Sequence, residues 1–459
     1  MKNKRRILSL LFLFALLLSS LRLPSQAYAE GEFTWPKNPE VYSESAILME
    51  ATTGTILYEK NAEETRYPAS ITKILTVLLV LENGKMDDQI VISEDSFRKT
   101  EGTRVGYDVG EIISLESCLY SVLLGSDNQC AYALAEHIGG TYDHFIEMMN
   151  ERVKEIGCIN THFNNPHGLP DDNHYTCAYD MALITKEAMK NATFRQFFST
   201  KQYSVPATNK ADSRLINNHH AMVFDQDANY HYDGVTGGKN GYTSLALNTL
   251  VTTAAQNNME LICVVMKTSS THYSDTRSLL NYGFQNFSLV NISENEKTYT
   301  QDSEEFLQVG KNLAGNDGFF LSLNATDDII LPNGVDFTAA VVSCSYDNLE
   351  PGAIARLTYS LGAHEIGHTN ITISKDEKEE RVFYPNTIEI KEKDSRFILK
   401  INLLKVLLVL FSVSAVTLII VLLVRFRKPL GITRVFRKIQ RLRLRREYPS
   451  QYKDFKFKK

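Results

Sequence analysis

The sequence predicts an α/β fold, an antiparallel sheet flanked by helices, followed by a small all-β domain and a C-terminal transmembrane helix. Strand-like segments at 45–58 and 246–267 enclose a mostly helical region at 70–200, which is typical of one sheet covered by helices. Alternating apolar runs between 295 and 390, separated by Pro-Asn-Gly and Pro-Gly turns, predict the all-β domain. The stretch 406–424 contains 19 residues without a charge, which is long enough to span a bilayer.

The first and last parts of the chain carry patterns typical of membrane targeting. Residues 1–29 combine a basic start, an apolar centre and an Ala-Tyr-Ala cleavage site, which predicts a secretory signal peptide; an uncleaved anchor is the alternative. Residues 403–424 form the predicted transmembrane helix, and they lack the polar face of an interfacial helix. The tail 425–459 holds 14 Lys/Arg against 2 Asp/Glu, and such basic segments stay cytoplasmic beside anionic lipid. We therefore expect a single-pass protein of the cell membrane, with an extracytoplasmic main part and a cytoplasmic tail.

The net charge of −5 is unevenly distributed along the chain. Without the signal peptide (+5) and the tail (+12), residues 30–424 carry −22, which argues against nucleic acid as a partner. The six cysteines show no C-x-x-C spacing, and most lie among apolar residues, so we expect buried free thiols. A disulfide between Cys158 and Cys177 is the alternative, because spacing does not determine connectivity.

The candidate nucleophile is Ser70, in the tetrad Ser-Ile-Thr-Lys at 70–73. Residues three apart share one face of a helix, so Ser70 and Lys73 are predicted to lie side by side. The predicted helix continues through 81, with Gly84 at its end, and it is apolar nearly all round, which indicates burial. Burial disfavours the charged form of a lysine, and a neutral amine can activate the neighbouring serine. The alternative is a capping serine followed by a lysine that reaches the surface.

Two further motifs follow at wide spacing. Ser126, Asp127 and Asn128 separate helices predicted at 112–124 and 130–138, where a short turn can direct polar side chains into a cleft. An ordinary N-cap turn is the alternative. The third motif is Lys-Asn-Gly-Tyr-Thr at 239–243, which opens a strand-rich region. Its glycines indicate that something approaches the backbone closely, although a Gly-rich turn would also explain them.

In this order and spacing, the three motifs resemble those of the penicillin-recognising serine enzymes: S-x-x-K, S-x-N and K-T-G. The likeness is strongest to the low-molecular-mass penicillin-binding proteins that act as D-alanyl-D-alanine carboxypeptidases, and it extends to the segments 67–74 and 165–171. It implies a β-lactamase/transpeptidase-like catalytic domain at 30–290 and a small β-rich domain at 291–395. The third motif departs from the family, because Asn240 replaces the threonine. Its carboxamide can donate a similar hydrogen bond, so substrate affinity is affected more than reaction type.

The resemblance also implies a mechanism. Ser70 would attack the penultimate D-alanine carbonyl of a peptidoglycan stem peptide while Lys73 takes its proton, and Ser126 would return a proton to the leaving D-alanine. The backbone N–H groups of Ser70 and Tyr242 would hold the oxyanion. No metal or organic cofactor is expected. β-Lactams resemble the D-Ala-D-Ala terminus and are expected to acylate Ser70.

The implied substrate-binding residues lie in the second and third motifs. Asn128 would orient the substrate backbone, and Lys239 would supply positive charge for the terminal carboxylate. The remaining members belong to the strand expected to pair with the substrate: Asn240, Gly241, Tyr242 and Thr243.

Three other functions remain open on this sequence. A class A β-lactamase carries the same motifs but needs a glutamate in E-x-x-L-N, and the corresponding stretch 163–171 has none. A transpeptidase would pass the acyl group to an amine. A non-catalytic wall-binding or sensor protein is favoured only by Asn240.

The pentad at 364–368, His-Glu-Ile-Gly-His, matches the zinc motif H-E-x-x-H. That motif requires both histidines on one face of a helix. Strand-like segments flank it here, and Gly362 and Gly367 disfavour a helix. We therefore predict a hairpin turn at this point and no metal site.

Overall fold

A five-stranded antiparallel sheet is the central element of the computed structural model, which describes residues 35–297, 299, 319–347 and 349–375. Its strand order is β2-β1-β9-β8-β7, so β7 forms one edge. In chain order the described strands are β1 (Ser45–Glu50), β2 (Ile56–Lys60), β3 (Gln89–Val91), β4 (Ile112–Ser114), β5 (Gln202–Val205), β6 (Arg214–Asn217), β7 (Val235–Thr243), β8 (Leu247–Gln256), β9 (Met259–Thr268), β10 (Phe287–Asn291), β11 (Phe319–Leu323), β12 (Asp328–Pro332), β13 (Val341–Ser345), β14 (Ala353–Leu361) and β15 (His364–Lys375).

Helices cover both faces of this sheet. In chain order the described α-helices are α1 (Lys73–Asn83), α2 (Glu94–Arg98), α3 (Leu115–Leu123), α4 (Asn128–Gly139), α5 (Tyr142–Ile156), α6 (Ala178–Met189), α7 (Ala192–Ser199), α8 (Ala221–Phe224), α9 (His272–Asn286) and α10 (Ile292–Asn295). Short 3-10 helices span Ala69–Thr72 and Phe337–Ala339.

The alternation of side chains along β1 explains why the sheet needs cover on both sides. Ile47 and Met49 join the apolar cluster that contains α1, whereas Leu48 joins the cluster that contains Leu279 and Leu280 of α9. All six residues of β1 are buried. Each such aliphatic side chain stabilises the fold by about 1.5–3 kcal/mol. The predicted antiparallel sheet flanked by helices is therefore confirmed.

The local predictions succeed where the apolar pattern is unambiguous. The hairpin predicted at 45–58 is formed by β1 and β2, and the helix predicted after Ser126 is α4. The helix predicted at 112–124 is partly wrong, because Ile112–Ser114 is a strand paired with β3. The side chain of Ser114 accepts the backbone N–H of Ser117, and this N-cap starts α3 at Leu115.

The region after α9 is rich in strands. The strand β10 straddles the predicted boundary at 290/291 and pairs with β12, while a second sheet has the order β11-β15-β14-β13. The turn between β14 and β15 lies at Gly362 and Ala363, so the pentad 364–368 begins β15. The prediction that this pentad is not helical is confirmed, but placing the turn within it was wrong. Among the described residues no cluster of three or more His, Cys, Asp or Glu could hold a metal ion.

The six cysteines are all free thiols, as predicted, so the alternative Cys158–Cys177 disulfide is not formed. Four are buried, Cys158 is half-buried and Cys344 is exposed. Within the described ranges, no helix is both long enough and apolar enough to cross a bilayer. The predicted signal peptide, transmembrane helix and tail lie outside those ranges.

Candidate active site

The nucleophile turn is the 3-10 helix Ala69–Thr72, which leads directly into α1. The spacing predicts a helix that begins at Ser70, but the α-helix begins at Lys73. Ala69 adopts a left-handed conformation with φ +52°, which is strained for a residue with a Cβ. The hydroxyl of Thr249 donates to the Pro68 carbonyl at 2.8 Å and fastens this turn to β8.

Lys73 is fully buried at the start of α1, and its Nζ has three oxygen neighbours. The Oγ of Ser70 lies at 3.1 Å, Oδ1 of Asn128 at 2.6 Å and the His167 carbonyl at 2.7 Å. The latter two oxygens only accept hydrogen bonds. A neutral amine therefore donates its two N–H groups to them and directs its lone pair toward the hydroxyl of Ser70.

The electrostatics of Lys73 favour that neutral form. Burial lowers the pKa of Lys73 well below its usual value, the charge of Lys239 lowers it further, and the Asp127 carboxylate opposes both effects. An amine that is uncharged near neutral pH is a competent general base. The prediction that Ser70 and Lys73 lie side by side in a buried setting is confirmed.

The second motif forms the turn between α3 and α4. Asp127 is the N-cap of α4, and its side chain accepts the backbone N–H of Cys130 at 2.8 Å. The alternative of an ordinary N-cap turn is therefore correct for Asp127. Asn128 uses Oδ1 for Lys73 and Nδ2 for the carbonyl of Glu101 at 2.6 Å. The motif thus both caps a helix and orients the candidate base.

Ser126 precedes this cap in a left-handed conformation with φ +56° and is 5% exposed. Such strain persists only where the surroundings impose it, and it is frequent at active sites. In the part of the chain that the structure describes, the Ser126 hydroxyl has no hydrogen bond to Ser70 or Lys73. Of this motif, Asn128 is therefore the residue that the structure joins to the pair.

The third motif lies within β7, the edge strand, so the alternative of a Gly-rich turn is wrong. A Cβ on Gly241 would lie 2.7 Å from the backbone nitrogen of Ser70, so only glycine permits this approach. Tyr242 is 64% exposed beside it. At the end of the strand, Thr243 uses Oγ1 to accept the backbone N–H of Ala246 at 3.0 Å.

The side chain of Lys239 forms hydrogen bonds with Asn240. The buried Nζ of Lys239 donates to the Asn240 backbone carbonyl at 2.9 Å and lies 3.4 Å from Oδ1 of its side chain. Because a lysine only donates, it orients the oxygen of this carboxamide toward itself and leaves the Asn240 amide nitrogen for another partner. Burial lowers the pKa of Lys239 to about 7.

Several residues of the site carried no role in the sequence analysis. His167 acts through its backbone carbonyl, held in a loop where the Asn165 side chain accepts the N–H groups of His167 and Gly168. Every residue has a backbone carbonyl, so the residue type does not indicate which carbonyl makes such a contact. The imidazole of His219 lies within electrostatic reach of Lys239, and burial and that charge lower its pKa.

Comparison with known proteins agrees with this geometry. Residues 32–270 match the profile of the peptidase S11 family, D-alanyl-D-alanine carboxypeptidase. The chain is 32% identical over 290 residues to D-alanyl-D-alanine carboxypeptidase DacF of Bacillus subtilis, covering 62% of this chain and 72% of that one. It is 30% identical over 367 residues to DacA of Haemophilus influenzae, covering 75% and 88% respectively.

Solved structures show the same relationship. Penicillin-binding protein 5 of Haemophilus influenzae superposes with a TM-score of 0.58 at 27% identity, over 74% of this chain and 99% of that one. The Streptomyces K15 DD-transpeptidase superposes with a TM-score of 0.51 at 28% identity, over 55% of this chain and 100% of that one. With a half-buried serine beside a buried lysine, an edge strand against them and a family match over half of its length, the chain belongs to the D-alanyl-D-alanine carboxypeptidase family.

Proposed function

We propose that this protein is a serine D-Ala-D-Ala carboxypeptidase, which removes the terminal D-alanine of peptidoglycan stem pentapeptides through an acyl-enzyme and is inhibited by β-lactams. The observation that carries the proposal is the 3.1 Å contact between Ser70 Oγ and Lys73 Nζ, in a pocket that disfavours the charged amine. Membership of the family supports the same reaction.

Acylation follows from this arrangement. Ser70 Oγ attacks the carbonyl carbon of the penultimate D-alanine, and its proton passes to Lys73 Nζ. The oxyanion forms between the backbone N–H groups of Ser70 and Tyr242, at the gap that Gly241 keeps narrow. Fixed donors of this kind are worth about 3–4 kcal/mol each in the transition state.

Collapse of the tetrahedral intermediate breaks the C–N bond to the terminal D-alanine. The leaving amine takes the proton held by Lys73, relayed by the hydroxyl of Ser126. Protonated Lys239 attracts the terminal carboxylate, and the free amide N–H of Asn240 donates to it. Water then hydrolyses the ester at Ser70, with Lys73 again as base.

The test measures D-alanine released by the purified protein from a diacyl-L-Lys-D-Ala-D-Ala peptide. Release at a rate proportional to enzyme supports the proposal, whereas no release by folded protein favours the wall-binding or sensor alternative. Two parallel reactions separate the remaining alternatives. Transfer to an added amine would indicate a transpeptidase, and fast multiple-turnover hydrolysis of nitrocefin would indicate a β-lactamase.

The pH dependence of kcat/KM is expected to be bell-shaped, with a basic limb from Lys239. The pKa of Lys239 is about 7, so above that pH the free enzyme loses the charge that attracts the carboxylate, and kcat/KM falls. On the acid side, protonation of Lys73 removes the base. Kinetics measured on both sides of pH 7 test the basic limb. The charge of arginine does not titrate in this pH range, so the Lys239→Arg variant should lose the basic limb. If the basic limb persists in that variant, it belongs to another group.

Replacing Asn240 tests the altered third motif. Asn240→Ala removes the amide donor and is expected to raise KM by about tenfold to a hundredfold with little change in kcat, because a hydrogen bond to a charged group contributes about 1.5–3 kcal/mol. Asn240→Thr restores a donor and should stay within about threefold of the parent KM. Steady-state kinetics with the same peptide measure both. An unchanged KM in Asn240→Ala would remove Asn240 from the carboxylate site.

Location in the cell is a proposal from the sequence alone. The signal at 1–29, the apolar segment 403–424 and the basic tail 425–459 support an extracytoplasmic catalytic part on a single membrane span. In intact cells, added protease should degrade the catalytic part and spare an epitope placed after 459. Recovery of the full chain in the soluble fraction would contradict this topology.

A further inference from the structure

The peptide unit between Ala69 and Ser70 holds two groups that matter for the reaction. Its N–H, on Ser70, is the proposed oxyanion donor, and its C=O belongs to the strained residue Ala69. A trans peptide is planar, so its C=O and N–H point in opposite directions. Whatever fixes the Ala69 carbonyl therefore also fixes the direction of the Ser70 N–H.

Two glycines enclose this peptide unit. A Cβ on Gly168 would lie 1.8 Å from the Ala69 oxygen, and a Cβ on Gly241 would lie 2.7 Å from the Ser70 nitrogen. Within the described ranges, neither glycine backbone hydrogen-bonds to the peptide unit, so the two glycines confine it only by close packing. The backbone hydrogen bonds of the 3-10 helix hold the Ala69 carbonyl from its own turn, and a side-chain hydrogen bond adds a second constraint on its direction.

That hydrogen bond comes from Thr72 and is backed by His174. Thr72 Oγ1 donates to the Ala69 carbonyl at 2.9 Å and lies 2.9 Å from His174 Nε2. The backbone N–H of Asn164 donates to His174 Nδ1 at 3.0 Å, so Nδ1 carries no proton and Nε2 carries one. The chain of donors therefore runs in one direction, from Asn164 through His174 and Thr72 to the Ala69 oxygen.

Burial keeps this chain intact. Thr72 and His174 are both fully buried, and burial lowers the pKa of His174 to about 3, so the imidazole stays neutral at working pH. A protonated ring would turn an N–H toward the N–H of Asn164. With the neutral ring, the single hydrogen of the Thr72 hydroxyl has one place to go, which is the Ala69 carbonyl.

We propose that His174 is a positioning residue for the oxyanion hole, which orients the Ser70 N–H through the Thr72 hydroxyl and the Ala69 carbonyl. The proposal rests on the proposed function, because it concerns the donor for the tetrahedral oxyanion in that reaction. His174 itself does not touch the substrate. Removal of the His174 imidazole is expected to reduce stabilisation of the transition state more than it reduces binding of the peptide.

The experiment compares Thr72→Val and His174→Leu with the parent enzyme in three assays: the rate of penicillin acylation, kcat and KM for the D-Ala-D-Ala peptide, and the affinity for a boronic acid analogue of N-acyl-D-alanine. The boronic acid accepts Ser70 Oγ to form a tetrahedral adduct whose oxygen occupies the oxyanion hole. Both variants are expected to lose about tenfold to a hundredfold in acylation rate and boronate affinity, with KM within about threefold of the parent.

Rescue and control variants separate positioning from packing. Thr72→Ser and His174→Gln keep the required donors and should recover most of the lost acylation. Thr185→Val is the matched control, because Thr185 is also buried and donates to a carbonyl of its own helix, Met181 O at 2.7 Å, in α6. It should acylate at the parent rate, and thermal unfolding shows whether each variant folds.

Three results would overturn the proposal: parent-like acylation by His174→Leu or by Thr72→Val, a rise in KM as large as the loss of boronate affinity, or no recovery of acylation in Thr72→Ser. Failure of the proposed function looks different, because the parent itself would then release no D-alanine and bind no penicillin covalently.

Discussion

Ser70→Ala is expected to abolish covalent labelling by a fluorescent penicillin and release of D-alanine from the peptide. The hydroxyl oxygen of Ser70 lies 3.1 Å from the candidate base Lys73 Nζ. Removing it leaves no oxygen at this position to form the acyl ester. The substitution deletes one oxygen from a half-buried side chain, so the fold should be retained. Gel fluorescence after incubation with the penicillin, together with intact-protein mass, measures the loss.

Ser274→Ala serves as the matched control for that experiment. Ser274 lies on α9, where its Oγ donates to the Thr271 carbonyl at 2.9 Å, and its replacement should leave labelling complete. Equal labelling of Ser70→Ala and the parent would place the nucleophile elsewhere. Slow labelling would indicate that another nucleophilic side chain takes over in part, and the modified peptide would identify it.

Lys73→Met is expected to lower the acylation rate by about 10²–10⁴-fold while penicillin still binds reversibly, because a positioned general base contributes about that much. Methionine matches the length of lysine and suits a buried helix start. It leaves Asn128 Oδ1 and the His167 carbonyl without their donor, at about 1–3 kcal/mol each. Stopped-flow acylation and thermal unfolding, measured together, separate the chemical loss from the structural one.

Lys186→Met provides the comparison for Lys73→Met. Lys186 lies on α6, and burial lowers its pKa too, but it faces Glu50 and not the candidate nucleophile. Its replacement should change stability without changing the acylation rate. If Lys73→Met acylates within a few-fold of the parent, the proton of Ser70 goes to another group, and Lys73 serves as a structural hydrogen-bond donor.

The sequence was sufficient for the layers of the fold and for the chemical centre. The apolar pattern of α1 indicated a buried helix, and the first two motifs identified Ser70, Lys73 and Asn128, which the fold joins by hydrogen bonds. Glycine at 241 correctly indicated a close approach, since its hydrogen atom is all that fits against the Ser70 backbone. These features depend on side-chain type and spacing, which a sequence states directly.

Other parts of the site depend on backbone geometry, which residue types encode poorly. The start of α1 was placed three residues early, because a 3-10 turn with a left-handed Ala69 has no sequence signature. The strand at Ile112–Ser114 is apolar like the helix after it, and only its pairing with β3 distinguishes the two. The His167 carbonyl and the His174 tautomer follow from contacts between segments far apart in the chain.

The burial of α1 has a consequence for how the enzyme can change under antibiotic selection. From Lys73 to Val80 every side chain of this helix is buried, so its residues are packed on all sides and most replacements there would destabilise the protein. The strand β7, which approaches the Ser70 backbone at Gly241, is an edge strand with exposed positions such as Tyr242. Drift toward drug resistance or toward new peptide preference should therefore accumulate along that edge, while the helix that carries the base stays constant.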